Sequence, residues 1–189
     1  MFTKTIYFSG GDFHELQEVF SRIKGVTSTA VGYINTDNEA PSYESVIKGN
    51  IQAVMGIRID YNPKKIDLST LMDILFTIID PYSKNKQGEC EGQMYQNGVY
   101  YCDYEDQPIV ELYMNFIASK GKAPAVTTAN VTMNDPSGAK AYRRCYVQAV
   151  PLENFCLAEE QHQHYLRKNP TTKTFIDFMR LRELDIIMR

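Results

Sequence analysis

The stretch Ile6-Tyr7-Phe8-Ser9-Gly10-Gly11-Asp12-Phe13 constrains this chain more than any other. Ile6-Tyr7-Phe8 is an apolar run of strand type and closes a strand predicted over 3–8. Gly10-Gly11 then permits a sharp reversal of the backbone without Cβ clashes. From Asp12 onward the period changes. Phe13, Leu16, Val19, Phe20 and Ile23 recur at helical spacing, which predicts a helix over 12–23. A strand that turns on two glycines into a helix sets the helix mouth at the strand's end, where unpaired N–H groups and the positive dipole end collect. Asp12 occupies that mouth, and the position favours negative charge. A nucleophile placed there would be activated. The plain structural reading is an N-cap. Asp12 followed three residues later by Glu15 has the form of a capping box, worth about 1 kcal/mol.

The remaining chain alternates between the two periods. β-branched runs predict strands over 26–34, 51–61, 99–102, 125–133 and 145–150. Helical spacing predicts helices over 42–47, 68–79, 104–119 and 158–168, and a last amphipathic one from Thr172 or Thr174 to about 187. The segments 35–41 and 82–97 read as loops, the second long enough to carry function. This alternation implies an α/β or α+β sandwich.

Of the 189 residues, 43% are hydrophobic and 23% charged, as in an ordinary globular domain. A net charge of −3 argues against a nucleic-acid surface. No basic block suggests an anionic membrane patch, and no run has the roughly 18 apolar residues of a membrane span. The sequence does not open on a charged region followed by an apolar one, so the expected location is cytoplasmic. Cys90, Cys102, Cys145 and Cys156 fit neither a zinc pattern nor Cys-x-x-Cys, and no metal or cofactor is expected.

Several motifs in order carry a family resemblance. Gly10-Gly11-Asp12-Phe13-His14 resembles the Gly-Gly-Cys-Phe-Trp signature of peptide methionine sulfoxide reductase A. Val31-Gly32-Tyr33, Ser42-Tyr43-Glu44-Ser45-Val46 and Asp80-Pro81 are similar to further family motifs. So are Asn85-Lys86-Gln87-Gly88 with Gly92-Gln93-Met94-Tyr95, and the run from Ala158 to Tyr165 with Asn169-Pro170. The resemblance implies the family's α/β roll, a mixed sheet with packed helices, over 1–170. A helical extension over 171–189 would follow. It also implies peptide-methionine (S)-S-oxide reductase ancestry, in which a cysteine attacks the sulfoxide sulfur. On this chain Asp12 falls at that cysteine and His14 at the family's pocket Trp. Met55 falls at its proton-donating Glu, Ala53 at a His, and Cys90 at an Asp. The aromatic Phe13 and the oxygen-holding tyrosines, Tyr43 and Tyr95, are kept. No cysteine follows Cys156, where the family commonly has resolving cysteines.

A carboxylate cannot accept the sulfoxide oxygen as a thiolate does. The leading expectation is therefore a reductase-like protein without thiol chemistry. Its pocket, built on Asp12, Phe13, His14, Tyr43, Met55, Cys90 and Tyr95, would bind a peptide or small ligand. One alternative is a non-redox enzyme with Asp12 as base or nucleophile on a peptide. Another is a weak reductase that uses Cys90. Asp12 and His14, two apart, are not expected to share a helix face, and neither are His162 and His164 as a metal pair. The last helix is expected to pack on its own domain, with a homodimer contact as the sharper alternative.

Overall fold

The computed structural model describes residues 2–119 and 144–187. In β1 (Lys4–Ser9) Ile6 and Phe8, on one face of the strand, are fully buried, while Thr5 and Tyr7 on the other face are only partly covered. β1 pairs antiparallel with β3 (Val54–Tyr61) and with β6 (Gly98–Tyr101). β2 (Val26–Ile34) joins β3, and β8 (Phe155–Leu157) joins β2 at one edge. At the other edge β7 (Gln148–Pro151) lies parallel to β6. The sheet is thus mixed, in the order β7-β6-β1-β3-β2-β8. A parallel neighbour needs a crossover, and α4 (Gln107–Ala118) lies in the chain between β6 and β7.

The helices are set by their caps. α1 (Phe13–Phe20) starts at Asp12 and lays Phe13, Leu16, Val19 and Phe20 on the sheet, all fully buried. Each such side chain contributes roughly 1.5–3 kcal/mol. α2 (Tyr43–Ile47) is capped by Ser42, and α3 (Leu68–Ile78) by Asp67, whose carboxylate accepts from the Thr70 N–H at 2.7 Å.

The structure departs from the sequence reading in four places, each for a tertiary reason. The expected loop 82–97 holds a small hairpin, β4 (Lys86–Gln87) and β5 (Cys90–Glu91), followed by a 3-10 turn over Gln93–Tyr95. Gln87 organises it by exchanging hydrogen bonds with the Asp80 backbone at 2.8 and 2.9 Å and donating to Asn97 Oδ1 at 3.0 Å.

The expected helix 158–168 is broken into a 3-10 turn (Glu160–His162) and α5 (Tyr165–Lys168), with His164 left-handed at φ 52°. Between the two pieces the Gln163 amide pairs with both backbone groups of Val31 and also donates to the Ala158 carbonyl. Residues 155–157, unassigned in sequence, form β8. The last helix is only α6 (Phe178–Glu183), capped by Asp177 rather than by Thr172 or Thr174. The expected strand 125–133 lies outside the described residues. Leu181 and Ile187 of the C-terminal segment are buried in the same core as the sheet.

Candidate functional site

The turn between β1 and α1 builds the site. Gly11 takes φ +74°, and a Cβ there would lie 2.9 Å from the Gln87 Cβ, so only glycine lets the turn close on the hairpin. Asp12 is extended (φ −73°, ψ 120°), as an N-cap should be, and its Oδ1 accepts from the His14 N–H at 2.8 Å. The same oxygen lies 2.8 Å from His14 Nδ1. This corrects the expectation that Asp12 and His14, two apart, do not face each other. That expectation applied helical geometry to both residues, but the cap stands outside the helix and its side chain folds back over the first turn.

Behind His14 the contact continues. His14 Nε2 is 3.0 Å from His162 Nδ1. A proton on His14 Nδ1, facing the carboxylate, leaves Nε2 to accept from His162 Nδ1–H. Tyr43 stacks on His162 with centroids 4.3 Å apart, and Tyr165 lies 4.5 Å from the His14 ring. Burial and the neighbouring His14 lower the His162 pKa. The Tyr43 N–H and the Tyr33 hydroxyl both donate to Glu159, at 2.9 and 2.6 Å. His162 and His164 do not form a pair. Among the described residues no group of His, Cys, Asp and Glu side chains comes together as a metal site.

Asp12 opens on the other side into a cleft of about 260 Å³ shared with Gly10, Glu15, Gln87, Cys90 and Phe175. Burial pushes the Cys90 thiol up to about 11, Asp12, Glu15 and Glu89 add to this, and the Asp12 backbone N–H offsets only part. Burial likewise raises Tyr43 and Tyr95, and both lie close enough to Asp12 and Cys90 to be raised further by them. A wider groove of about 550 Å³, by Lys24, Lys64 and Asp67, shares no residue with this cleft.

The expected site residues therefore divide. Asp12 and Cys90 line the cleft, and His14 is buried behind Asp12. Tyr43 and Tyr95 are half-buried nearby. Phe13 and Met55 are core side chains, 0% and 1% exposed.

The sequence reading missed Glu15 as a cleft residue and the tail segment above it. Glu15 does not close the expected capping box. Its carboxylate instead accepts from the backbone N–H groups of Phe175 and Ile176, at 2.8 to 3.1 Å. Burial raises its pKa, and those two N–H groups oppose the rise. The acidic residue in the first turn was a usable signal for Glu15. Nothing local marked the tail.

Comparison with known proteins places this arrangement. Residues 4–148 match the family model for peptide methionine sulfoxide reductase. The chain belongs to that family. It is 37% identical over 175 residues to the peptide methionine sulfoxide reductase MsrA of Mycoplasma genitalium, covering 93% of this chain and 99% of that one. With the MsrA of Clostridium acetobutylicum it shares 36% over 167 residues, 88% of this chain and 91% of that one. The reduced form of Mxr1 from Saccharomyces cerevisiae superposes with a TM-score of 0.72 at 25% identity, over 91% of this chain and 88% of that one. Methionine sulfoxide reductase A of Corynebacterium diphtheriae shares the fold, with a TM-score of 0.76 at 21% identity over 93% and 82% of the two chains. Among the described residues no helix of this family member is long and apolar enough to cross a membrane.

Proposed function

We propose that this family member binds a peptide or small ligand in the cleft at the mouth of α1 and does not reduce sulfoxides by thiol chemistry. The observation that carries the reading is the carboxylate at the α1 cap, where the resemblance aligns the family's cysteine. Reduction of a sulfoxide moves its oxygen to a thiolate, which becomes a sulfenic acid while the sulfoxide becomes a thioether. For the Asp12 carboxylate to take oxygen in this way an O–O bond would have to form, and a sulfoxide is far too weak an oxidant to make a peroxy acid. The thiol lining the cleft, Cys90, is held protonated at neutral pH by burial and by the carboxylates around it. Loss of a covalent nucleophile removes most of an enzyme's rate, so the pocket alone would contribute little turnover.

The test is paired. Dithiothreitol-driven reduction of a methionine sulfoxide peptide is expected to stay at the uncatalysed rate, in the wild type and in Cys90→Ser alike. Calorimetry with methionine sulfoxide peptides and small amines is expected to show binding that Asp12→Ala weakens. Turnover at rates ordinary for the relatives would refute the reading. Turnover abolished by Cys90→Ser would reassign the chemistry to that thiol.

A second reading, non-redox acid–base chemistry by Asp12, is favoured by the Asp12–His14–His162 contacts. His14, with its Nδ1–H facing Asp12 Oδ1 and His162 behind it, would hold the carboxylate in place while the carboxylate takes the substrate's proton. Any activity on a peptide that persists unchanged in Asp12→Asn excludes it.

A further inference from the structure

Glu15 is 4% exposed, and no Lys or Arg pairs with it among the described residues. A buried carboxylate is costly unless its lone pairs are filled. Here they are filled by consecutive backbone N–H groups of Phe175 and Ile176, reaching it from 160 residues away. Both residues also form part of the cleft wall opposite Gly10, Gly11 and Asp12. The Phe175 ring rests on Gly88, where a Cβ would meet the ring at 2.9 Å. Gly88 precedes Glu89 and Cys90 at the turn of the β4–β5 hairpin.

The tail is held very unevenly. Beyond this contact Leu181 and Ile187 are buried in the core, at 4% exposure each, and before it α5 packs on α1. Phe175 itself remains 45% exposed. Between the two anchors the segment is held by the Glu15 hydrogen bonds, the partly exposed Phe175 ring on Gly88, the partly buried Ile176 and Phe178 side chains on the core, and an exposed Lys173–Glu89 ion pair at 3.9 Å. Such a segment can open locally while the core stays folded.

We propose that Glu15 and the hairpin turn form a binding site for an extended peptide backbone, and that the chain's own segment 174–177 is its resident occupant. The segment must lift away from Glu15 and Gly88 before another peptide can take its place there. The ligand class is a peptide that presents two successive N–H groups to Glu15 and an aromatic or large apolar side chain to Gly88. The clip exists without added ligand, so it stands or falls separately from the absence of thiol chemistry proposed above.

Cys90 reports on the cleft directly. Its alkylation by iodoacetamide, followed by peptide mass spectrometry, is expected to rise about fivefold or more in Phe175→Gly, through loss of local protection. Cys156 labelling is expected to stay unchanged, as evidence of an intact fold. Glu15→Gln also removes a charge that restrains the Cys90 thiol, so the charge-neutral Phe175 variant is the deciding one. In the wild type the amides of Phe175 and Ile176 are expected to exchange hydrogen slowly, and in Glu15→Gln faster.

The peptide Thr-Lys-Thr-Phe-Ile-Asp, supplied near the roughly millimolar effective concentration of a tethered segment, is expected to slow Cys90 labelling in Phe175→Gly. The same peptide with Gly for Phe is expected not to. An unchanged Cys90 rate in Phe175→Gly with Cys156 unchanged, or fast exchange of both amides in the wild type, overturns the clip. A Cys90 rate insensitive to the Phe-containing peptide overturns the peptide site.

Discussion

Asp12 does two jobs through one oxygen: Oδ1 caps α1 at the His14 N–H and faces the His14 imidazole. Its charge also bears on Cys90, standing second only to burial among the causes that push that thiol up to about 11. Asp12→Asn keeps the cap oxygen and removes the charge. Alkylation of Cys90 at a fixed pH near 8 is therefore expected to speed up about three- to tenfold, since one pKa unit is a tenfold change in thiolate. An unchanged rate would mean that burial alone sets this thiol. Gly11 is a second residue whose identity is dictated by backbone. Gly11→Ala should cost about 1–2 kcal/mol for its left-handed φ, more if Gln87 cannot move, and should lower the denaturation midpoint accordingly. Both roles were readable in sequence, because a cap and a positive φ are demands met within a few residues.

At the scale of elements, the His14–His162 contact ties α1 to the turn before α5. His162 faces His14, Tyr43 and Tyr165, and the charges of Asp12 and Glu159 also reach it. Its pKa is lowered from 6.5 by burial first and by His14 second. The fold thus prefers the neutral imidazole. That preference stabilises the fold above the unfolded value and is lost as pH falls through the lower folded one. The urea midpoint of the wild type is expected to drop relative to His162→Gln as pH falls from about 7 to about 5. A pH-independent difference would show that the imidazole is not held neutral. Elements are also where sequence reading erred. The broken helix at 158–168 and the late start of α6 both follow from backbone groups taken by distant partners, Gln163 with Val31 and Glu15 with the tail.

Across the whole molecule, the C-terminal segment shares its core with the sheet. Leu181 lies in the same buried cluster as Phe8, Phe13 and Leu71. Leu181→Ala should cost about 2–4 kcal/mol, with far-ultraviolet and near-ultraviolet circular dichroism lost in one coincident transition. A separate early transition confined to the tail would instead make it an appendage. The overall architecture was accessible from sequence because strand and helix periods alternate, and because the family motifs occur in order along most of the chain.

What the residues determined by themselves was local and serial: the strand, the glycine turn, the capped helix, the alternation of the larger elements and the family. Tertiary structure alone decided which side chains share the cleft. It buried Phe13 and Met55 in the core, turned His162 onto His14, and gave Glu15 a partner 160 residues away. The physical reason is range. Caps, turns and amphipathic faces are set by neighbours within a turn or two of chain, whereas a cleft is set by how the sheet and its coverings pack.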